Sequence, residues 1–118
     1  MAMGAERLDA LQERLDRFYR ERDWRRFQSL KDIAASTAVE TAELQELFLW
    51  RDDEQAVLLE RRADVAGEAA DILINLLNFA QLARIDLLDA CGRKLDELEE
   101  RYPVRDVRSR VVAKGARG

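Results

Sequence analysis

The sequence predicts an all-α protein, and three observations carry that prediction. Apolar residues recur at spacings of three and four along most of the chain, the period of an amphipathic helix. No segment alternates in the way a half-buried strand does. Helix breakers are scarce, with one proline and five glycines among 118 residues. Charged residues make up 37% of the chain and apolar residues 47%, the balance of a soluble helical protein. Four main helices are expected, packed as a helical bundle. The apolar surface of the second to fourth exceeds what one small bundle buries, so a homo-oligomer, dimer or tetramer, is expected as well.

The first helix is expected from Ala5 to Arg22. Leu8, Leu11, Leu15, Phe18 and Tyr19 form its inner stripe, and its acids and bases fill the outer face. The stretch Asp23 to Gln28, with Trp24 and Phe27, turns the chain. Ser29 is a good N-cap, with Asp32 three residues on as a short form of the capping-box acid. A second helix follows from Leu30 to Leu49, with Ile33, Ala34, Ala38, Leu44, Leu47 and Phe48 as its apolar set.

Asp52 and Asp53 mark a break, and a short helical turn is expected over Glu54 to Leu59. The third helix is expected from Arg62 to Ala83. Apolar residues surround most of it, so it is read as central to the bundle. Asp86 caps a fourth helix, Leu87 to Arg101, which Gly92 weakens slightly. Tyr102-Pro103 ends it, because proline disfavours helix in the residue before it. One domain over 1–103 is expected, followed by a basic tail, 104–118. Arg105, Arg108, Arg110, Lys114 and Arg117 lie in that tail with few apolar anchors. It is expected to be flexible, or ordered only against a partner or ligand.

Composition excludes several functions. Lys and Arg number 20 and Asp and Glu 24, for a formal net charge of −4. An acidic total argues against binding nucleic-acid polymers. Histidine is absent, which removes a His general base, a Ser-His-Asp triad and a His-ligated zinc. Cys91 is the lone cysteine, so no internal disulfide forms and a reducing, cytoplasmic location is expected. A bound metal must take oxygen ligands, which favours Mg²⁺, with Mn²⁺ as the alternative. The opening Met-Ala-Met-Gly-Ala-Glu-Arg holds no apolar run of the signal-peptide kind. The most apolar stretch, Ala69 to Ile85, is broken by Asp71, two Asn, Gln81 and Arg84, so no membrane span is expected.

Two pairs of acids do not read as solvated. Glu40 and Glu43 share one face of the second helix, and Glu68 and Asp71 share one face of the third. No Lys or Arg occurs between Asp32 and Trp50, and none between Ala63 and Ala83. Like charges one turn apart destabilise an isolated helix by roughly 0.2–0.5 kcal/mol per pair. Acids at this spacing are often merely solvated or paired with a neighbouring helix. Here the absence of local cations and the apolar setting of Glu68 and Asp71 make the pattern costly. Antiparallel packing brings the pairs face to face, and a divalent ion then neutralises the cluster.

These residues carry a resemblance. Glu40-Thr-Ala-Glu43 followed by Glu68-Ala-Ala-Asp71 reads as an E-x-x-E … E-x-x-D signature. Glu21-Arg-Asp-Trp24-Arg-Arg-Phe27, Glu43-Leu-Gln-Glu-Leu-Phe-Leu-Trp50, Asp71-Ile-Leu-Ile-Asn75 and Arg101-Tyr102-Pro103 extend it over Leu15 to Pro103. The chain resembles the MazG-like, all-α nucleoside triphosphate pyrophosphohydrolases, within them the dCTP pyrophosphatase branch. The resemblance implies hydrolysis of the α–β phosphoanhydride of a nucleotide, giving a monophosphate and pyrophosphate. It implies Glu40, Glu43, Glu68 and Asp71 as Mg²⁺ ligands, with Glu40 or Glu43 also orienting or deprotonating the attacking water. It implies Trp24 and Trp50 around the base, with Gln28 and Asn75 near it, and Lys31 and Lys94 towards the phosphates.

The chain departs from the family pattern in places. Phe27-Gln28-Ser29-Leu30-Lys31-Asp32-Ile33 stands where relatives carry Phe-His-x-Pro-Lys-Asn-Leu. Leu98 stands where an Asn is common, and Glu99 and Glu100 replace positions that are often basic. The metal set is intact while the specificity set is partly rewritten. The expected substrate is dCTP or a modified pyrimidine dNTP, in a role that clears unwanted nucleotides from the pool. The competing expectation is a catalytically weak helical oligomer that binds nucleotide or protein. A third is a dUTP- or phosphoribosyl-ATP-directed branch of the same superfamily, against which the tryptophan pair argues.

Overall fold

The computed structural model describes residues 2–108. Helix α1 spans Ala2–Glu21, α2 Leu30–Phe48, α3 Glu54–Ala83, α4 Leu87–Arg101 and α5 Val104–Val107, and a 3-10 turn at Arg25–Phe27 joins α1 to α2. The all-α expectation holds, with four main helices and no strand among the described residues. The chain divides into two compact units, Met1–Ile85 and Asp86–Gly118. The first holds α1 to α3 and the second α4 and α5. No described helix is long and apolar enough to cross a membrane.

Local chemistry accounts for the boundaries. The Ser29 hydroxyl accepts from the Asp32 N–H at 3.1 Å, as its N-cap position predicts. Asp53 caps α3 by accepting from the N–H groups of Gln55 and Ala56, and Asp86 caps α4 by accepting from that of Asp89. Arg84 closes α3 in the left-handed conformation, φ 57°. Tyr102 ends α4 with non-helical backbone before Pro103.

Two boundaries differ from expectation. The short turn at 54–59 and the third helix are one 30-residue helix, α3. The expected break survives as a kink at Arg61, φ −125° and ψ 27°, just before an ion pair between Arg61 and Asp64. Val104–Val107, the start of the expected flexible tail, forms the short helix α5. Residues 109–118 of that tail lie outside the described residues.

In the first unit α3 packs along α2 and against α1. Cross-helix contacts give the register of α2 and α3. Asn78 meets Gln28, Asn75 meets Ser36, and Glu60 meets Arg51. Partner numbers fall on one helix as they rise on the other, so the helices run antiparallel. Leu15 and Tyr19 from α1, Ile33 from α2, and Val57, Leu77 and Ala80 from α3 form the buried core. Gln81 locks α1 to α3, donating to the Gln12 carbonyl and accepting from Arg25, which in turn pairs with Asp16. The core is small and several large apolar side chains stay in water, among them Trp50 at 92% and Leu59 at 87% exposure.

Candidate functional site

The site follows from the α2–α3 register. Helical spacing puts Asp32, Ser36 and Glu40 on one face of α2, with Glu43 one turn on. It puts Glu68, Asp71, Asn75 and Asn78 on one face of α3. Antiparallel pairing turns those faces towards each other. The result is a groove with acids at one end and amides at the other.

At the acidic end, one carboxylate oxygen from each of Glu40, Glu68 and Asp71 lies within 4.8 Å of the others. Glu43 is not part of that tight trio, but it stands within hydrogen-bonding reach of both Glu40 and Glu68 once one partner is protonated. Oε2 of Glu40 and Oε2 of Glu68 are each shut away from water with no hydrogen-bond partner. Among the described residues, no Lys or Arg forms an ion pair with any of the four acids.

The electrostatic consequence is direct. Desolvation, with Glu43 as hydrogen-bond partner and the charges of Glu43, Glu40 and Asp71 nearby, pushes Glu68 up to about 7. Desolvation and the charges of Glu43 and Asp71 raise Glu40 as well. Two orphaned buried oxygens among unneutralised carboxylates fit a hard divalent cation. Such an ion takes oxygen ligands and removes the repulsion. The donor set, all oxygen, fits Mg²⁺ or Mn²⁺ better than a softer metal.

At the other end of the groove Asn75 donates to the Ser36 hydroxyl at 3.1 Å, one turn beyond Asp71. One further turn along α3, Asn78 donates from Nδ2 to Oε1 of Gln28 at 3.1 Å. These residues line a cavity of about 200 Å³ together with Phe27 and Asp32. Of the residues expected near the base, the cavity gathers Gln28 and Asn75. Asn78, Ser36 and Asp32 were not foreseen there. Asn78 carried one signal, its place three residues after Asn75 in the mostly apolar stretch 72–80 of α3.

Trp24, Trp50 and Lys31 do not line this cavity. Trp24 packs edge-on against Phe18, with ring centroids 5.6 Å apart, and leans on Tyr19. Trp50 is almost fully exposed and adopts φ 64°. The two tryptophans flank opposite ends of α2, whose 19 residues span about 28 Å. One chain therefore does not sandwich a base between them. Lys31 is exposed on the first turn of α2. Lys94 lies on α4 in the second unit, with its ammonium 3.2 Å from Glu97.

An antiparallel helix pair with three converging carboxylates makes this an all-α protein with a carboxylate cluster that could hold a metal ion. Known proteins narrow that description. No family model matches the chain. The crystal structure of a pyrophosphatase from Archaeoglobus fulgidus superposes with a TM-score of 0.77 at 34% identity, covering 82% of this chain and 93% of that one. dCTP pyrophosphatase 1 of Bos taurus is 40% identical over 91 residues, covering 74% of this chain and 54% of that protein. The Homo sapiens protein of the same name is 35% identical over 96 residues. The chain spans about half the length of these two relatives. It belongs to the MazG-like all-α nucleoside triphosphate pyrophosphohydrolase family.

Proposed function

We propose that the protein hydrolyses the α–β phosphoanhydride of a nucleoside triphosphate, releasing a monophosphate and pyrophosphate. The observation that carries this reading is the convergence of Glu40, Glu68 and Asp71, with two buried oxygens lacking any partner. Family membership supplies the reaction class. The proposed substrate is dCTP or a modified pyrimidine deoxynucleotide, the setting is cytoplasmic, and the role is clearance of unwanted nucleotides.

Glu40, Glu43, Glu68 and Asp71 would hold the divalent ion, proposed to be Mg²⁺. When bound, that ion supplies positive charge against the phosphate oxygens and polarises the anhydride. The chain's own contribution is placement and proton handling. Glu43 lies beside the trio and retains access to water, so it or Glu40 accepts the proton of the attacking water. Oxygen of that water bonds to phosphorus as the bond to the bridging oxygen breaks. Pyrophosphate carries away the electron pair. The groove between α2 and α3 aligns the nucleoside along its length.

A homo-oligomer is part of the proposal. Leu59 and Trp50 are too large and too exposed for a finished surface, and a second copy would cover them.

The test is release of pyrophosphate and monophosphate from a panel of common and modified nucleotides, with Mg²⁺ and then with EDTA. Mg²⁺-dependent release that Asp71→Asn abolishes supports the reading. Folded protein that releases neither product from any member of the panel overturns it. That result favours a nucleotide-binding or protein-interaction module, which the replacement of the family His and Asn by Gln28 and Leu98 supports.

A further inference from the structure

The amide end of the groove contains an anomaly of its own. Asn78 is 1% exposed, yet its Oδ1 has no hydrogen-bond partner. A buried acceptor left unpaired costs free energy that a ligand donor recovers. Its Nδ2 is committed to Oε1 of Gln28, which leaves the Gln28 amide nitrogen to donate. Both side chains border the same cavity, and the Asp32 carboxylate adds a second acceptor to its wall.

No lysine or arginine lines this cavity. An acceptor-rich wall without cations repels phosphate. It suits a flat ligand that carries an amino donor next to a ring acceptor. The position suits the same ligand. Asn78 lies seven residues beyond Asp71 on one helix face, an axial distance of about 10 Å. That is the scale of one nucleoside held with its phosphates at the acids.

We infer that Gln28 and Asn78 form a specificity-determining pair that reads the amino edge of the substrate's base. Asn78 Oδ1 accepts from the exocyclic amine, and Gln28 donates to the neighbouring ring nitrogen or carbonyl. A keto base sets its own carbonyl against Asn78 Oδ1, leaving that acceptor unpaired and repelled. Asn75 and Ser36, bonded to each other, form the floor between base and acids. The inference rests on the nucleotide reading above and deepens it.

The experiment measures kcat/KM for dCTP and dUTP with Mg²⁺, in the unaltered protein and in Asn78→Leu and Gln28→Leu. Binding of dCMP and dUMP is measured by calorimetry on the same three proteins. The unaltered protein is expected to favour the cytosine compound. Each variant is expected to lower that preference about tenfold or more. Loss of preference in both assays supports the pair. A preference that persists in the folded variants overturns the inference, as does an unaltered protein that favours uracil or discriminates in neither assay. Absence of turnover, with cytosine-dependent binding that the variants lose, sinks the hydrolase reading and leaves the pair standing. Should Asn78→Leu fail to fold, Gln28→Leu decides, because Gln28 is only half-buried and lies outside the helices.

Discussion

Glu40 on α2 and Glu68 on α3 meet across an antiparallel helix pair, and each holds one carboxylate oxygen out of water without a hydrogen-bond partner. Two acids brought together in this way make the metal-free fold work against itself.

Stability of the metal-free protein falls as pH rises. Glu68 keeps its proton in the folded chain up to about 7, whereas the ordinary value is 4.5. Between those values the folded state binds more protons than the unfolded one, so unfolding free energy declines with pH. Above about 7 the Glu68 contribution levels off. Denaturant titrations in EDTA from pH 4.5 to 8 measure this, and Glu68→Gln flattens the slope. A Glu68-dependent rise in stability over the same window would contradict it.

Divalent metal reverses that trend. Ligands must lose their protons to bind, so affinity for Mg²⁺ or Mn²⁺ rises as pH passes through the range of Glu68 and binding releases protons. At a metal concentration of 100 times Kd the folded state gains about 2.7 kcal/mol. Thermal melts with and without Mg²⁺ at pH 6 and pH 8 should show the larger shift at pH 8.

Asp71→Asn separates function from folding. Metal-dependent turnover should drop by about 100-fold or more, since even removing a residue that supports a ligand costs 10–100-fold. The metal-free variant should be at least as stable as its parent, because one repulsive charge is gone. A variant that loses stability in EDTA would place Asp71 among structural residues.

Trp50 combines exposure with a left-handed backbone, φ 64°. A bulky residue in that conformation stores roughly 1–2 kcal/mol. Trp50→Gly should therefore stabilise the isolated chain while weakening self-association. Light scattering after size-exclusion chromatography, alongside thermal melts, reads both effects. Leu59→Glu should also weaken association without relieving strain.

Ser29→Ala should cost about 1 kcal/mol. The Ser29 hydroxyl is the side-chain cap of α2, and the lost bond to the Asp32 N–H leaves a helix-terminal donor to water. Because Gln28 is the preceding residue, fraying there should also loosen the amide end of the groove. Urea titration at pH 7 measures the stability change.

Local physics made much of the fold legible. The capping roles of Ser29 and Asp86, the stop at Tyr102-Pro103 and the burial of Leu15 and Tyr19 all follow from chemistry within one or two helical turns, whereas Phe18, expected on the same stripe, is exposed. So does the interruption near Arg61, although reading it as a gap divided one kinked helix in two. The four acids were legible because helical spacing stacks them and no cation stands within a turn of the inner pair.

What the sequence by itself determined is which residues share a helix face. Which faces meet was decided by the tertiary structure. Register between α2 and α3 depends on the packing of residues some 30 to 50 positions apart, which no local spacing encodes. That register joins Glu40 to Glu68 and Asp71, and it turns Asn78 from an irregularity in a mostly apolar stretch of α3 into the partner of Gln28. The separation of Trp24 and Trp50, by contrast, follows from the length of α2 alone, which stands between them. A helix's side chains are placed by its own backbone, but a site between helices exists only when burial of their apolar stripes brings particular rows together.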